Sequence, residues 1–520
     1  MLRRWPAFIF FILLAGASLA QQMVPSPFET AAWATPANGV DARVEAALKG
    51  GGLQLRVPCS DVVFIRRVYL DLIGTLPTAE EVEAFLQDRR PDKRAALIET
   101  LFAREEYAEY RTLKWGDLLR VKSEFPINLW PNGVQAYHRW IYAAMRDNMP
   151  YDQFVREQLT SSGSNFRVPA VNFYRAVPNR APEGLAGAVA LTFMGTRLEG
   201  WPEARRAEMA AFFSRVAYKK TLEWKEEIIY LNPAAEGPLQ ATLPDGAAVT
   251  IPAGGDPREA FADWLTQPGN PWFARNIVNR LWAWTMGRGM VHEADDIRLD
   301  NPPACPELLA YLEGELVKSK YDLRHVFRLI LNSRTYQQSS IPHGDEKAGA
   351  EFARYTVRRL DAEVLIDALC RLGGEGESYS SPIPEPFTYI PKEHRTIALA
   401  DGSITSPFLA MFGRPARDTG LESERNNEPS DAQRLYLLNS TDIQQRITRS
   451  PLLRDVVFAA RKDRTKLLPG LYLAILSRYP TKDETAAAVN YLQTPGLQPQ
   501  QGIGDLAWAL VNSPEFLYRH

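Results

Sequence analysis

CSDVVFIRRVYLDLIGTLPTAEEVEAFL, residues Cys59 to Leu86, is the stretch whose reading decides the fold class. Val62, Ile65, Tyr69 and Leu72 recur at helical spacing and lay one apolar face along a helix, with Arg66, Arg67 and Asp71 beside it. Those three polar side chains either line a pocket or tie helices together. Gly74 and Pro77 end the helix. Thr78 and Glu81 then form a capping box, in which hydroxyl and carboxylate reciprocally satisfy backbone N–H groups that the next helix leaves open. The unit is helix, break and capped helix, which excludes a strand reading.

The same arrangement returns near the C-terminus. LAILSRYPTKDETAAAVNYL, from Leu473, places Pro480-Thr481 behind an apolar helix with Glu484 at the box position. A second unit occurs three times, as LIETLFAREEYAEY from Leu97, VFRLILNSRTYQ from Val326 and LAWALVNSPEFLY from Leu506. Each is an amphipathic helix running into a short polar turn and an aromatic residue. Their spacing is too irregular for a solenoid, so they read as degenerate helical modules packed on one another.

Working outward, Asp41 is expected to cap a short helix from Ala42 to Lys49 that Gly50-Gly51-Gly52 ends. LKWGDLLRV and WPNGVQAYHRWIYAAMRDNMPYDQFVREQL continue the helical pattern, and their many aromatics are expected in the core. Asn270 is an N-cap candidate with Pro271 at the first helical position. Phe273, Ile277, Leu281 and Trp284 then share one face until Gly287 and Gly289. The exception lies between Glu226 and Pro252, where EEIIYLNP and the alternation from Ala247 to Ile251 flank Pro244-Asp245-Gly246, the pattern of a β-hairpin or small sheet. The expected fold is mainly α and multi-helical, two helical halves separated by a small β-hairpin or sheet insertion. Its divisions are a signal peptide at 1–20, a Pro-rich leader at 21–40, an N-terminal helical domain at 41–223, the β insertion at 224–254 and a C-terminal helical domain at 255–520. Loops are expected from Gln337 to Gly349 and from Gly373 to Ser406, the longer one a lid or a surface excursion.

Arg3 and Arg4, the apolar run from Ala7 to Ala17 and the small residues of Ser18-Leu19-Ala20 have the form of a cleaved secretory signal. The run is shorter than the ~20 residues of a spanning helix, and no later segment is long and apolar enough. An exported protein, periplasmic or extracellular, without stable membrane insertion after signal cleavage is expected. With 45% hydrophobic residues and 60 basic against 62 acidic ones, the chain can bury a large core and offers no net positive field for nucleic acid. Its three cysteines, Cys59, Cys305 and Cys370, allow one disulfide at most, so the fold must rest on its core.

Motifs for chemistry are sparse. The six histidines, His138, His292, His325, His343, His394 and His520, include no pair at the spacing of a helical metal site. His292 with Glu293, Asp295 and Asp296 reads either as a small cation site or as a solvated acidic loop. No nucleophile elbow, phosphate loop or dinucleotide fingerprint occurs. Arg414, Arg417, Glu422, Glu424 and Arg425, with Asn426 and Asn427, form the strongest polar cluster. It either binds an anionic or sugar ligand, because planar guanidinium matches oxyanions bidentately, or is a buried ion-pair network that docks the loop on the helices. Asn279 and Arg280 carry the same two readings as Arg66, Arg67 and Asp71.

FIRRVYLDLIGTLPTAEEVEAFL together with NMPYDQFVREQL resembles the first of two paired domains of unknown function, numbered fifteen-forty-nine and fifteen-fifty-three, of secreted planctomycete-type proteins. NPWFARNIVNRLWAWTMGRG, NPPACPELLAYL, LILNSRTYQQSS, RRLDAEVLIDAL, FGRPARDTGLESERNNEPSDAQRLYLLNS and NSPEFLYRH resemble the second, so the likeness runs from about Asp41 to His520. Many relatives carry Cys-x-x-Cys-His, the attachment motif of a c-type haem, where this chain has Leu198-Glu199-Gly200-Trp201-Pro202, and Cys-Glu-Cys where it has Leu421-Glu422-Ser423. The resemblance therefore implies a vacated attachment loop in the stretch from Leu191 to Val216, and one lost site instead of two independent losses. No haem, metal or other cofactor is expected. The expected function is that of a secreted binding or scaffold protein, the alternatives being an extracellular enzyme acting on polysaccharide, sulfated or not, and a redox protein. The expected partners are a polysaccharide or other anionic ligand and, through the company the family keeps, a secreted sulfatase-like protein.

Overall fold

The helix Asp61–Leu72 is buried on nearly every side, which one apolar stripe does not explain. In this computed structural model, which describes residues 27–235, 237–342, 352–461 and 463–520, its two arginines reach into the second half of the chain. Arg66 donates to the carbonyls of Ile475 (3.2 Å) and Phe516 (3.0 Å). Arg67 donates to those of Tyr336 (2.6 Å), Gln338 (2.9 Å) and His520 (2.9 Å). A buried guanidinium needs several acceptors to offset its lost hydration. These helix-to-helix ties supply them. The expected signal peptide and His343 lie outside the described residues.

Around this helix the fold is mainly α, with only small sheets. The capping boxes expected at Thr78/Glu81 and Thr481/Glu484 are both formed, opening the helices Ala79–Gln87 and Lys482–Leu492. The thrice-repeated unit is also real. In the second and third copies Ser333 and Ser513 accept hydrogen bonds from the backbone N–H of Tyr336 and Phe516, and the aromatics Tyr107, Tyr336 and Phe516 are all buried. Two caps differ from expectation. Helix Gly39–Gly50 is capped by Asn38. Asp41 sits at its third position, returns to the Asn38 N–H (2.9 Å), and also accepts from Thr335 N–H and hydroxyl (both 2.8 Å), where it is worth more as a long-range tie. Helix Phe273–Met286 starts later than Pro271, because Asn270 first turns the chain by accepting from the N–H groups of Trp272 and Phe273.

The β elements begin earlier than expected. Val216–Lys220 pairs antiparallel with Glu227–Leu231, which also pairs with Gly163–Ser164. EEIIYL thus belongs to a first hairpin turned at Thr221–Glu226, and Asp245-Gly246 turns a second one, Leu239–Thr242 with Ala248–Ile251. Packing does not divide the chain at these hairpins. One apolar core gathers residues from Val40 to Tyr355, on both sides of the β segment, with Ala400 and Leu473. A second gathers Leu360 to Phe516 and takes in Leu70, Leu76, Tyr110 and Leu113 from the first half. Among the described residues no helix is long and apolar enough to cross a membrane.

Candidate functional site

The polar cluster from Arg414 to Arg425 lies in the seam between the two cores. Asp117, on helix Glu105–Leu118, accepts from Arg417 Nε (2.9 Å) and Arg425 Nη2 (2.7 Å). Glu363, on helix Ala362–Gly373, accepts from Arg425 (2.7 and 3.0 Å) and pairs with Arg414 Nε at 3.4 Å. Glu422 accepts from Trp284 Nε1 (2.8 Å) and Arg280 Nη1 (3.1 Å), and Glu424 from the Thr419 hydroxyl (2.8 Å). Arg414 donates to the carbonyls of Asp401 and Ile404. Arg425 is held well above the ordinary arginine range, with burial opposed by Asp117, Glu363 and Asp361. Arg414 is lowered to about 10, by burial first and then by its neighbour Arg417. The structure thus brings all five residues together and matches their charges largely within the protein.

The network continues through Asp361 to Asp71. Asp361 accepts from Tyr110 Oη (2.5 Å), Asn427 (2.7 Å), Arg519 (2.9 Å) and Lys114 (3.0 Å), and these partners hold its carboxyl well below the ordinary range against the pull of burial. Asp71 accepts from Tyr355, Tyr336, Arg358 and Arg519 (2.6 to 3.1 Å). The ties of Tyr110 and Lys114 to Asp361, and all four to Asp71, join the first half to the second.

The stretch from Leu191 to Val216 meets the same seam. Arg280 donates to the Leu191 carbonyl (3.1 Å) and to Asp295 (2.6 Å), whose other oxygen accepts from the Glu422 N–H (2.6 Å). Leu191, at the start of the stretch, and Glu422 therefore flank one ion pair, Arg280 with Asp295. In the loop itself Trp201 packs against Trp272, with ring centroids 6.1 Å apart, under the Arg205 guanidinium at 4.1 Å. Covalent haem attachment needs two thiols and an adjacent imidazole. The loop offers neither, Cys59 and Cys305 are buried elsewhere, and Cys370 lies against Arg446 at 3.2 Å, so these residues do not fit that group. Beside His292, Glu293 pairs with Arg197 and Asp296 with Arg298, and no group of three or more His, Cys, Asp or Glu side chains among the described residues could hold a metal ion.

A different region has the form of a binding site. Three segments remote in sequence converge on it: the loop from Lys122 to Trp130, the hairpin turn from Thr221 to Glu226, and residues 383–389 of the long loop. Together they expose Phe125 (80%), Trp224 (69%), Tyr389 (64%) and Phe387 (50%). The Trp130 ring stands between Trp224 (6.2 Å) and Phe387 (5.7 Å), with the Lys225 ammonium 5.4 Å from the Trp224 ring. Beneath the rings lie a cavity of about 190 Å³, bounded by Phe125, Trp130, Lys225 and Ile383, and an adjoining cleft of about 710 Å³ lined by Arg175, Arg180 and the hairpin turn. Asn128 (φ 59°), Trp130 (φ 65°) and Lys225 (φ 61°) all hold the left-handed conformation. Bulky side chains adopt it at a cost of about 1 kcal/mol or more each, and such residues concentrate where a surface is shaped for a ligand.

A second cleft of about 710 Å³ opens at the seam, lined by Leu76, Glu81, Arg104, Asp367, Arg371 and His394 among others. Burial raises the Asp367 carboxyl to about 6, although it accepts from the N–H groups of Thr396 (2.7 Å) and Ile397 (3.1 Å).

Sequence reasoning missed the aromatic groove because it assigned aromatics to the core by composition. One signal was present: TLEWKEE lies between two alternating segments, and an apolar pair inside a charged hairpin turn has nowhere to be buried.

Residues 39–198 match the family model described as "Protein of unknown function (DUF1549)", and residues 257–492 the one described as "Protein of unknown function (DUF1553)". No curated protein and no solved structure matches the chain. The two matches fall on the segments singled out above, the first carrying the hub helix Asp61–Leu72 and the second the arginine cluster of the seam, and the chain belongs to the family in which these two domains of unknown function are paired.

Proposed function

We propose that the protein is an exported binding protein that holds an extended polysaccharide across the aromatic groove. The observation that carries this reading is the convergence of exposed, planar rings from three distant segments beside a polar cleft. Apolar side chains of this size are seldom left in water as a contiguous patch unless something covers them. Tryptophan and tyrosine rings present a flat apolar face with little rotamer entropy to lose, which suits the C–H faces of pyranose rings, while adjoining polar groups fix register. Two adjoining openings formed by loops on a helical body suit a chain ligand. On this reading the seam network is the rigid mount, and the loop at Gly200-Trp201-Pro202 is what remains of an attachment site that relatives use.

Binding is tested by migration of the mature protein through native gels containing a panel of soluble polysaccharides. Retardation by at least one, reduced by Trp224→Ala, is expected. Unchanged mobility across the whole panel would overturn the proposal. The same mixtures assayed for new reducing ends and released sulfate separate binding from catalysis.

A further inference from the structure

The cleft beside the aromatic rings has a charge balance that the protein does not complete. Its cations are Arg175, Arg180, Lys220 and Lys225, and its anions are Glu223, Glu226 and Glu227. Glu226 is taken up by hydrogen bonds from the hydroxyls of Ser164 and Thr221 and lies 3.7 Å from Arg167. Glu223 is largely exposed and lies 3.8 Å from Arg167. Glu227 alone serves two guanidinium groups, accepting from Arg180 at 3.1 Å while it pairs with Arg175. Arg175 is 4% exposed; one of its nitrogens donates to the Asn128 carbonyl (3.1 Å), and its Nε–H has no acceptor. Neither Lys220 nor Lys225 has a carboxylate partner among the described residues.

A buried arginine that shares its only carboxylate with a second arginine is electrostatically under-compensated, because desolvation opposes its charge and the neighbouring cation adds to the repulsion. The same two influences lower Arg175 to about 10. An oxyanion entering from solvent would supply the missing charge, and guanidinium and ammonium groups around one opening are suited to receive it. Lys225 links the cleft to the rings, since its ammonium lies 5.9 Å from the Trp130 ring as well as beside Trp224.

We propose that this cleft is an oxyanion subsite of the groove, so that the ligand is a polysaccharide bearing sulfate or carboxylate groups, an assignment that rests on the carbohydrate reading above. The stacked rings hold the sugar face. Arg180, Lys220 and Lys225, over the fixed positive charge of Arg175, receive the charged substituent.

The test is calorimetric titration of the mature protein with four probes: a sulfated oligosaccharide, its desulfated counterpart, a uronic-acid oligosaccharide and inorganic sulfate. The charged oligosaccharides are expected to bind about tenfold tighter than the neutral one at low salt and to lose that margin at high salt. Arg180→Gln with Lys220→Gln, both at partly or fully exposed positions, is expected to remove the margin by weakening the charged probes selectively. The tighter of the two charged oligosaccharides identifies the substituent. Equal binding of charged and neutral probes, or equal loss of both in the double variant, overturns the subsite and leaves the carbohydrate reading standing. If no oligosaccharide binds, the carbohydrate reading fails. Inorganic sulfate then decides the subsite alone: saturable binding lost in the double variant retains it, and no binding overturns it.

Discussion

The seam between the two cores and the aromatic groove use the same residue types in opposite ways. In the seam, each arginine meets carboxylates from both halves, Arg425 with Asp117 and Glu363, Arg519 with Asp71 and Asp361. In the groove, two arginines share Glu227 and two lysines stand apart from any described carboxylate. Aromatics divide likewise, since Trp115 and Trp282 are fully buried while Trp224 faces solvent. The contrast teaches that an arginine-rich motif in sequence marks a ligand site only where its charges are left unmatched. Buried and matched, such charges fix the relative placement of helices and are costly to break.

Breaking the seam should have the largest effect. Asp71→Ala leaves Arg358 without a carboxylate and Arg519 with Asp361 alone, and is expected to destabilise the protein by about 3 kcal/mol in denaturant titration, with polysaccharide binding retained at temperatures where the variant is folded. Loss of binding with unchanged stability would reverse the roles of the two regions. Arg425→Ala, which leaves Asp117 and Glu363 without their shared partner, should cost about 3 kcal/mol by the same assay. An alanine there that lowers affinity and not stability would make the cluster from Arg414 to Arg425 a ligand site. Trp224→Ala sharpens the comparison from the other side. It should weaken polysaccharide binding by about 1 kcal/mol, the worth of one aromatic contact, and leave the melting temperature unchanged.

The smallest effect is a pH slope at the seam cleft. Asp367 holds its proton up to about pH 6 in the folded protein, against an ordinary 3.8 when unfolded. The folded state therefore binds more protons in that window, and stability must fall as pH rises through it. Asp367→Asn should flatten this slope, measured as the difference in melting temperature between the two pH limits. Identical slopes in both proteins would show that this carboxyl titrates normally.

Much of the helical framework was legible because it is written locally. Thr78 with Glu81 and Thr481 with Glu484 specify their caps within one turn, and the repeated Ser-x-x-aromatic ends do the same. Long-range matters were not legible. Asp41 looks like a cap, yet it reaches Thr335; the strand Glu227–Leu231 looks like one arm of the Asp245-Gly246 hairpin, yet pairs back to Val216–Lys220. The arginine cluster was found, but its partners Asp117, Asp361 and Glu363 are scattered, and spacing says nothing about which charges meet. The groove depends on three segments that no local pattern connects, and only the unburied Leu222 and Trp224 in a hairpin turn signalled it.

The most direct test of the account compares Trp224→Ala with Arg425→Ala in one gel-retardation series against the polysaccharide that the wild type binds best. Trp224→Ala should reduce retardation while remaining as stable as the wild type, and Arg425→Ala should keep it in full while melting earlier. Retardation that is undiminished in Trp224→Ala and falls in a stably folded Arg425→Ala protein would contradict it.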